Sequence, residues 1–215
     1  MKTHLEIIEL YKNEFQKHGD SPHSILTPKG RNKMRYNVLN EYISKDTNSL
    51  LDYGCGLGYL YQFIKDNSYK LKYEGVDIVD DFILACKDKY PEIKDSFKLI
   101  NPKSKINQNY DITFASGVFN LMECEDLNES IERAYIRIKD LFEVTDQILI
   151  CDFPSPYVDY TQKGAQHFNI ENLLSFCIKN LSRRLIIRHD VLPYEFTLIL
   201  WKNDSILKPQ NIYDT

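Results

Sequence analysis

The chain has 215 residues, enough for one domain with a full core. Its 43% hydrophobic and 27% charged content is that of an ordinary water-soluble globular protein, and a net charge of −4 dispersed along the chain argues against a nucleic-acid partner, which needs a basic face. No apolar run approaches the roughly 20 residues of a membrane span, the N-terminus lacks the charged-then-apolar pattern of a signal peptide, and five scattered cysteines without CxxC spacing read as reduced core thiols, so the expectation is a cytoplasmic protein with no metal site.

Residues 3–17 place Leu5, Ile8, Tyr11 and Phe15 at helical spacing, and His18-Gly19-Asp20-Ser21-Pro22 breaks that helix. Residues 30–44 read as a second helix, with Met34, Val38, Leu39 and Tyr42 on one face. A first strand falls at 49–53 with a helix to 66, and a second at 72–77 with a helix at 80–89 that Pro91 stops. A third strand is predicted at 96–100 and a fourth at 110–115. Glu123, Glu125, Asp126 and Glu129 crowd the start of a helix at 126–142, where carboxylates complement the helix dipole. A fifth strand spans 147–152, and Phe153-Pro154-Ser155-Pro156-Tyr157 reads as a loop that its prolines keep out of any sheet. A helix at 169–180 precedes β-rich runs at 183–191 and 195–201, joined through Leu192-Pro193-Tyr194 as a hairpin. Five alternating β/α units and a terminal strand pair imply a mostly parallel sheet with helices on both faces.

The chemistry concentrates after the first strand, in Asp52-Tyr53-Gly54-Cys55-Gly56-Leu57-Gly58. Glycine permits the sharp strand-to-helix turn and leaves backbone bare where a ligand approaches. Asp77 stands 19 residues beyond the last of these glycines, at the end of the second strand, where an acid accepts hydrogen bonds from ribose hydroxyls. The dinucleotide pattern GxGxxG needs a glycine at position 59; this chain has Tyr59 and reads GxGxG. That counts against an NAD(P)-dependent oxidoreductase and for a nucleoside cofactor without a pyrophosphate.

The stretch Leu51–Gly58 resembles the first motif of class I S-adenosylmethionine (SAM)-dependent methyltransferases, Gly75-Val76-Asp77-Ile78 resembles their second, and Tyr110–Ser116 is similar to their fourth strand. The resemblance runs from about residue 45 to residue 201. It implies a Rossmann-like seven-stranded sheet, mostly parallel with an antiparallel last strand, and SAM as cofactor. It implies that Asp52, Gly54, Cys55, Gly56, Gly58 and Asp77 hold the cofactor, with Ile78 against the adenine and Asn101 where the family often has an acid for the adenine amino group. Backbone groups of Ser116, Gly117, Val118, Phe119 and Asn120 would line the methionine half. Amino-methylating DNA enzymes carry Asp/Asn-Pro-Pro-aromatic where this chain has Ser116-Gly117-Val118-Phe119.

A second likeness is narrower. His18–Pro22 with Lys29-Gly30-Arg31 and Arg35-Tyr36, together with His189–Phe196, is similar to small bacterial methyltransferases of surface polysaccharide and capsule modification. It implies that residues 1–46 form a helical lid within a single domain spanning 1–215. It also implies that Lys29, Arg31 and Arg35 bind a carboxylate or phosphate, one of them, with Arg35 favoured, holding the methionine carboxylate of SAM. The expected reaction is O-methylation of a small molecule, a sugar, sugar nucleotide or phosphoramidate group, by a monomer or homodimer. A non-catalytic SAM-binding regulator or partner subunit is the alternative. Methyl transfer from a sulfonium needs a base only if the acceptor must lose a proton; His18, His167, Asp152 and Glu195 are the loop and strand-end candidates, with no choice among them.

Overall fold

The computed structural model describes residues 4–203. Helix α1 (His4–His18) and a 3-10 turn (Pro22–Ile25) lead to α2 (Arg31–Asn40). The sheet then begins with β1 (Ser49–Tyr53), α3 (Tyr59–Asp66), β2 (Lys72–Asp77), α4 (Asp80–Lys89) and β3 (Phe97–Leu99). It continues through β4 (Tyr110–Ala115), α5 (Leu127–Glu143), β5 (Thr145–Pro154), α6 (Ile170–Asn180), β6 (Leu185–Leu192) and β7 (Glu195–Trp201). The seven strands lie in the order β3-β2-β1-β4-β5-β7-β6. β1 to β5 pair in parallel, and β7 runs antiparallel to both β5 and β6, so it is the one reversed strand of this sheet.

Successive strand residues point to opposite faces, and the apolar runs of a sheet buried on both faces follow from that. Leu50 joins one core with Ile112, Ile150 and Ile199 beneath Leu39, Leu60, Ile64 and Ile83, which belong to α2, α3 and α4. Its neighbour Leu51 joins the other with Leu149, Leu198 and Leu200 beneath Ile138, Leu141 and Leu173, which belong to α5 and α6. All five cysteines are free and buried. No helix of the described residues is long and apolar enough to cross a membrane.

Three expectations are corrected. The connection from β3 to β4 carries no helix, so the units do not all alternate. β5 runs on through Phe153 and Pro154, which pair with Phe196 and Glu195 of β7. Past Cys151 the β4 side of β5 is vacant, and Pro154 turns that way: its carbonyl accepts from Phe168 N, while Ser155 N donates to β7's end at Tyr194 O. The missing proline N–H therefore costs no ladder bond. Of the acids before α5, Asp126 caps the helix by accepting from Glu129 N at 2.8 Å, but Glu123 turns away and pairs with Arg137 at 3.1 Å.

α1 lies over the carboxyl ends of the strands. Tyr11 and Phe15 meet Phe82 of α4 edge-on, with ring centroids 5.9 and 5.6 Å apart. Lys12 pairs with Asp80 at 2.7 Å, His4 Nε2 sits 3.0 Å from Glu123 Oε2 without hydrogen-bond alignment, and Asp20, just past the helix, pairs with Lys89 and Tyr59.

Candidate active site

The end of β1 is fastened to β2 before any ligand is considered. Gly54 N and Cys55 N both donate to Val76 O, at 2.8 and 3.0 Å, and Gly56 N donates to Asp77 Oδ2 at 2.8 Å. Asp77 Oδ1 accepts from Val79 N at 2.9 Å. Burial pushes the Asp77 carboxyl above its ordinary value, and those backbone N–H groups pull it back. Gly54, Cys55 and Gly56 thus direct their amides to β2, and Gly58 N donates to Cys55 O. What the bend presents instead is acid. Asp52 and Asp77 both line the cleft, which suits a cationic ligand.

Asp52 Oδ2 accepts from Tyr73 OH at 2.6 Å. Burial pushes its carboxyl up to about 7, against the pull of the Tyr73 bond and with a further push from Asp77. Tyr11, reaching down from α1, is pushed up to about 12 by burial and then by Asp77.

The cleft lies between the ends of β1, β2 and β4 and the roof of α1, the 3-10 turn and α2.

Of the expected binding residues, Asp52, Gly54, Cys55, Gly56, Asp77, Ile78, Ser116, Gly117 and Arg35 line this cleft. Gly58 and Asn101 do not. A Cβ on Gly58 (φ +70°) would stand 2.8 Å from the Tyr90 ring and 3.2 Å from Cys86 Sγ, so glycine there serves helix–sheet packing. Asn101 is exposed, and its Oδ1 accepts from Lys103 N at 2.9 Å, capping its own turn; Ile100 and Pro102 line the cleft on either side of it.

None of the four catalytic candidates is among the lining residues. His18 is exposed beside Glu14, at 3.4 Å. His167 holds the Ser155 carbonyl through Nδ1 at 2.7 Å. Glu195, buried, is consumed by two arginines: Oε1 accepts from Arg31 Nη1 at 2.6 Å, and Oε2 accepts from Arg35 Nε and Nη2 at 2.9 and 2.6 Å. Asp152 Oδ1 accepts from Thr197 Oγ1 at 2.6 Å, and Oδ2 lies 3.8 Å from Arg35 Nε. Burial raises the Asp152 carboxyl, with Arg35 and Thr197 opposing. Burial alone would lower the Arg35 guanidinium, and Asp152 and Glu195 more than offset it. Lys29 stays exposed.

Two lining residues carried no functional signal in the sequence: Tyr11 read only as an apolar helix position, and Arg137 was not singled out; Asn120, expected beside the methionine half with Ser116 and Gly117, does line the cleft. Arg137 donates to Tyr53 OH at 2.7 Å and to Glu123, a polar cluster assembled from three separate elements.

The strand order, the single reversed strand and the glycine bend locked to the acid of β2 define the architecture of class I methyltransferases. Proteins of known activity agree. No protein-family model matches the chain. A 91-residue stretch, 40% of the chain, is 28% identical to the malonyl-[acyl-carrier protein] O-methyltransferase of Acetivibrio thermocellus, spanning 32% of that relative's length. A SAM-dependent methyltransferase of Aquifex aeolicus superimposes with a TM-score of 0.59 at 16% identity, covering 85% of this chain and 99% of its own. The magnesium protoporphyrin IX methyltransferase of Synechocystis PCC 6803, solved with bound SAM, does so with a TM-score of 0.55 at 16% identity, covering 80% and 77%.

Proposed function

We propose that the chain is a SAM-dependent methyltransferase acting on a small, O-nucleophilic acceptor. The observation that carries this reading is the acid pair Asp52 and Asp77 lining the cleft, beside a glycine bend in which Gly54, Cys55 and Gly56 donate to β2. SAM bears a sulfonium and an ammonium against one carboxylate, so its net charge suits that pair. Asp77 retains lone pairs for the ribose hydroxyls, and Ile78 and Ile100 flank the place of the adenine. Asp52, Gly54, Cys55 and Gly56 face the methionine side, with Ser116 and Gly117 opposite.

When bound, SAM supplies a methyl group on an already activated leaving group. The chain's own residues then orient two ligands in line and keep water out, which is worth more here than a proton transfer. Residues 4–46 act in this reading as a lid on a single domain, with α1 as the roof; residues 1–3 of the expected lid and 204–215 of the expected domain lie outside the described residues. The sugar or capsule acceptor expected from the sequence gains no support from the relatives described above, which are named for malonyl-acyl carrier protein and magnesium protoporphyrin.

Calorimetric titration with SAM, S-adenosylhomocysteine and NAD+ tests the cofactor. Micromolar binding of the first two and none of the third is expected; preference for NAD+ would end this reading. Release of S-adenosylhomocysteine in an acceptor screen separates an enzyme from a SAM-binding partner subunit, which would bind without turnover.

A further inference from the structure

The cleft has a second polar focus, away from the glycine bend. Gly117 follows β4 with φ +76°, and a Cβ at that position would lie 3.6 Å from Arg35 Nη1 and 3.7 Å from Asn120 Nδ2. Two donors, one of them cationic, thus converge over a point of backbone that carries no side chain. Arg35 arrives with its orientation fixed, because Nε and Nη2 are both on Glu195 Oε2 and Nη1 takes no part in that pair.

Two guanidiniums, Arg31 and Arg35, share the one carboxylate of Glu195. The second acid, Asp152, lies 3.8 Å from Arg35 Nε, beyond hydrogen-bond reach. Arg35 is 3% exposed and lines the cleft, and a buried charged donor such as its Nη1 is costly until an acceptor meets it.

Resting on the methyltransferase reading, we propose that this cradle anchors the acceptor and that the acceptor is a carboxylic acid. One carboxylate oxygen takes Arg35 Nη1 and Asn120 Nδ2; the other attacks the methyl group. The new O–CH3 bond forms as the S–CH3 bond breaks, its electron pair returns to sulfur, and the products are a methyl ester and a neutral thioether. No proton moves. That agrees with the absence of His18, His167, Asp152 and Glu195 from the cleft lining, since an ionised acid needs no base. The same cradle suits one other carboxylate, the methionyl one of SAM itself, and the experiment separates the two.

The protein saturated with S-adenosylhomocysteine is titrated with benzoate and with benzamide, its neutral counterpart, chosen because Tyr36 and Phe114 line the same cleft. Benzoate is expected to bind at least tenfold more tightly, and Asn120→Asp, which sets a like charge in the cradle, is expected to abolish that preference while S-adenosylhomocysteine affinity holds. Equal affinity for the two probes, or binding of neither, overturns the proposal without any variant. If Asn120→Asp weakens S-adenosylhomocysteine tenfold yet leaves 5′-methylthioadenosine unaffected, the carboxylate is the cofactor's and the acceptor assignment is overturned. With SAM and a panel of aliphatic and aromatic acids, base-labile methyl product supports ester formation, and base-stable product or none overturns it. Failure of SAM, S-adenosylhomocysteine and methylthioadenosine alike to bind removes the methyltransferase reading, and this inference with it.

Discussion

Asp52→Asn isolates a buried titration that the fold itself creates. The Asp52 carboxyl goes from an ordinary 3.8 to about 7, chiefly through burial at the end of β1. A folded-state value above the unfolded one means the folded protein binds the proton more tightly. The contribution is therefore fully present below pH 3.8 and is lost as pH rises through about 7. At about 1.36 kcal/mol per pH unit, the whole gap is worth about 4 kcal/mol. Integrated between pH 5 and pH 8, the loss is about 2.5 kcal/mol. Asparagine keeps the shape and an oxygen for the Tyr73 hydroxyl but cannot ionise. Urea unfolding of both proteins at pH 5, 6, 7 and 8 is the assay. The stability of Asp52→Asn relative to the parent should climb by about 2.5 kcal/mol across that range. Two parallel stability curves would refute the assignment of this titration to Asp52.

Asp77→Asn removes the charge at the ribose end and should raise the Kd for SAM at least tenfold, about 1.4 kcal/mol by calorimetry, with the circular dichroism spectrum unchanged; undiminished affinity would take Asp77 out of cofactor binding. Gly58→Ala drives a Cβ into Tyr90 at positive φ and should cost about 2–3 kcal/mol of unfolding free energy while the folded protein binds SAM as before. A selective loss of SAM affinity there would restore Gly58 to the site. Glu195→Ala strands two arginines, one of them buried, and should cost about 3–5 kcal/mol in urea. If stability held and only the acidic limb of the kcat profile vanished, Glu195 would be a base after all.

The parallel sheet was legible because apolar runs and glycine turns are local signals. All seven strands were placed to within two residues at either end on that basis. β5 ran longer than expected because proline's cost depends on which side its missing N–H faces, and that is fixed only when β7 pairs with it. The absent helix after β3 shows the same limit, since alternation was inferred from the neighbouring units. At the site, the glycine bend and Asp77 were visible from spacing alone, and they do meet. Asn101 was misplaced because an Asx-type turn competes for its amide. The convergence of Arg35, Asn120 and Gly117 joins residues more than 80 positions apart and has no trace in any one segment.

The roof formed by α1 has a kinetic consequence. Exposed ion pairs hold such a helix weakly, and each ring pair onto Phe82 adds about 1 kcal/mol. The helix is thus latched rather than welded: a cost of about 3 kcal/mol would leave it lifted roughly once in 150 looks. With α1 acting as a lid, as proposed above, the traffic of spent cofactor runs on the clock of the turn at Gly19, however fast the methyl itself can move.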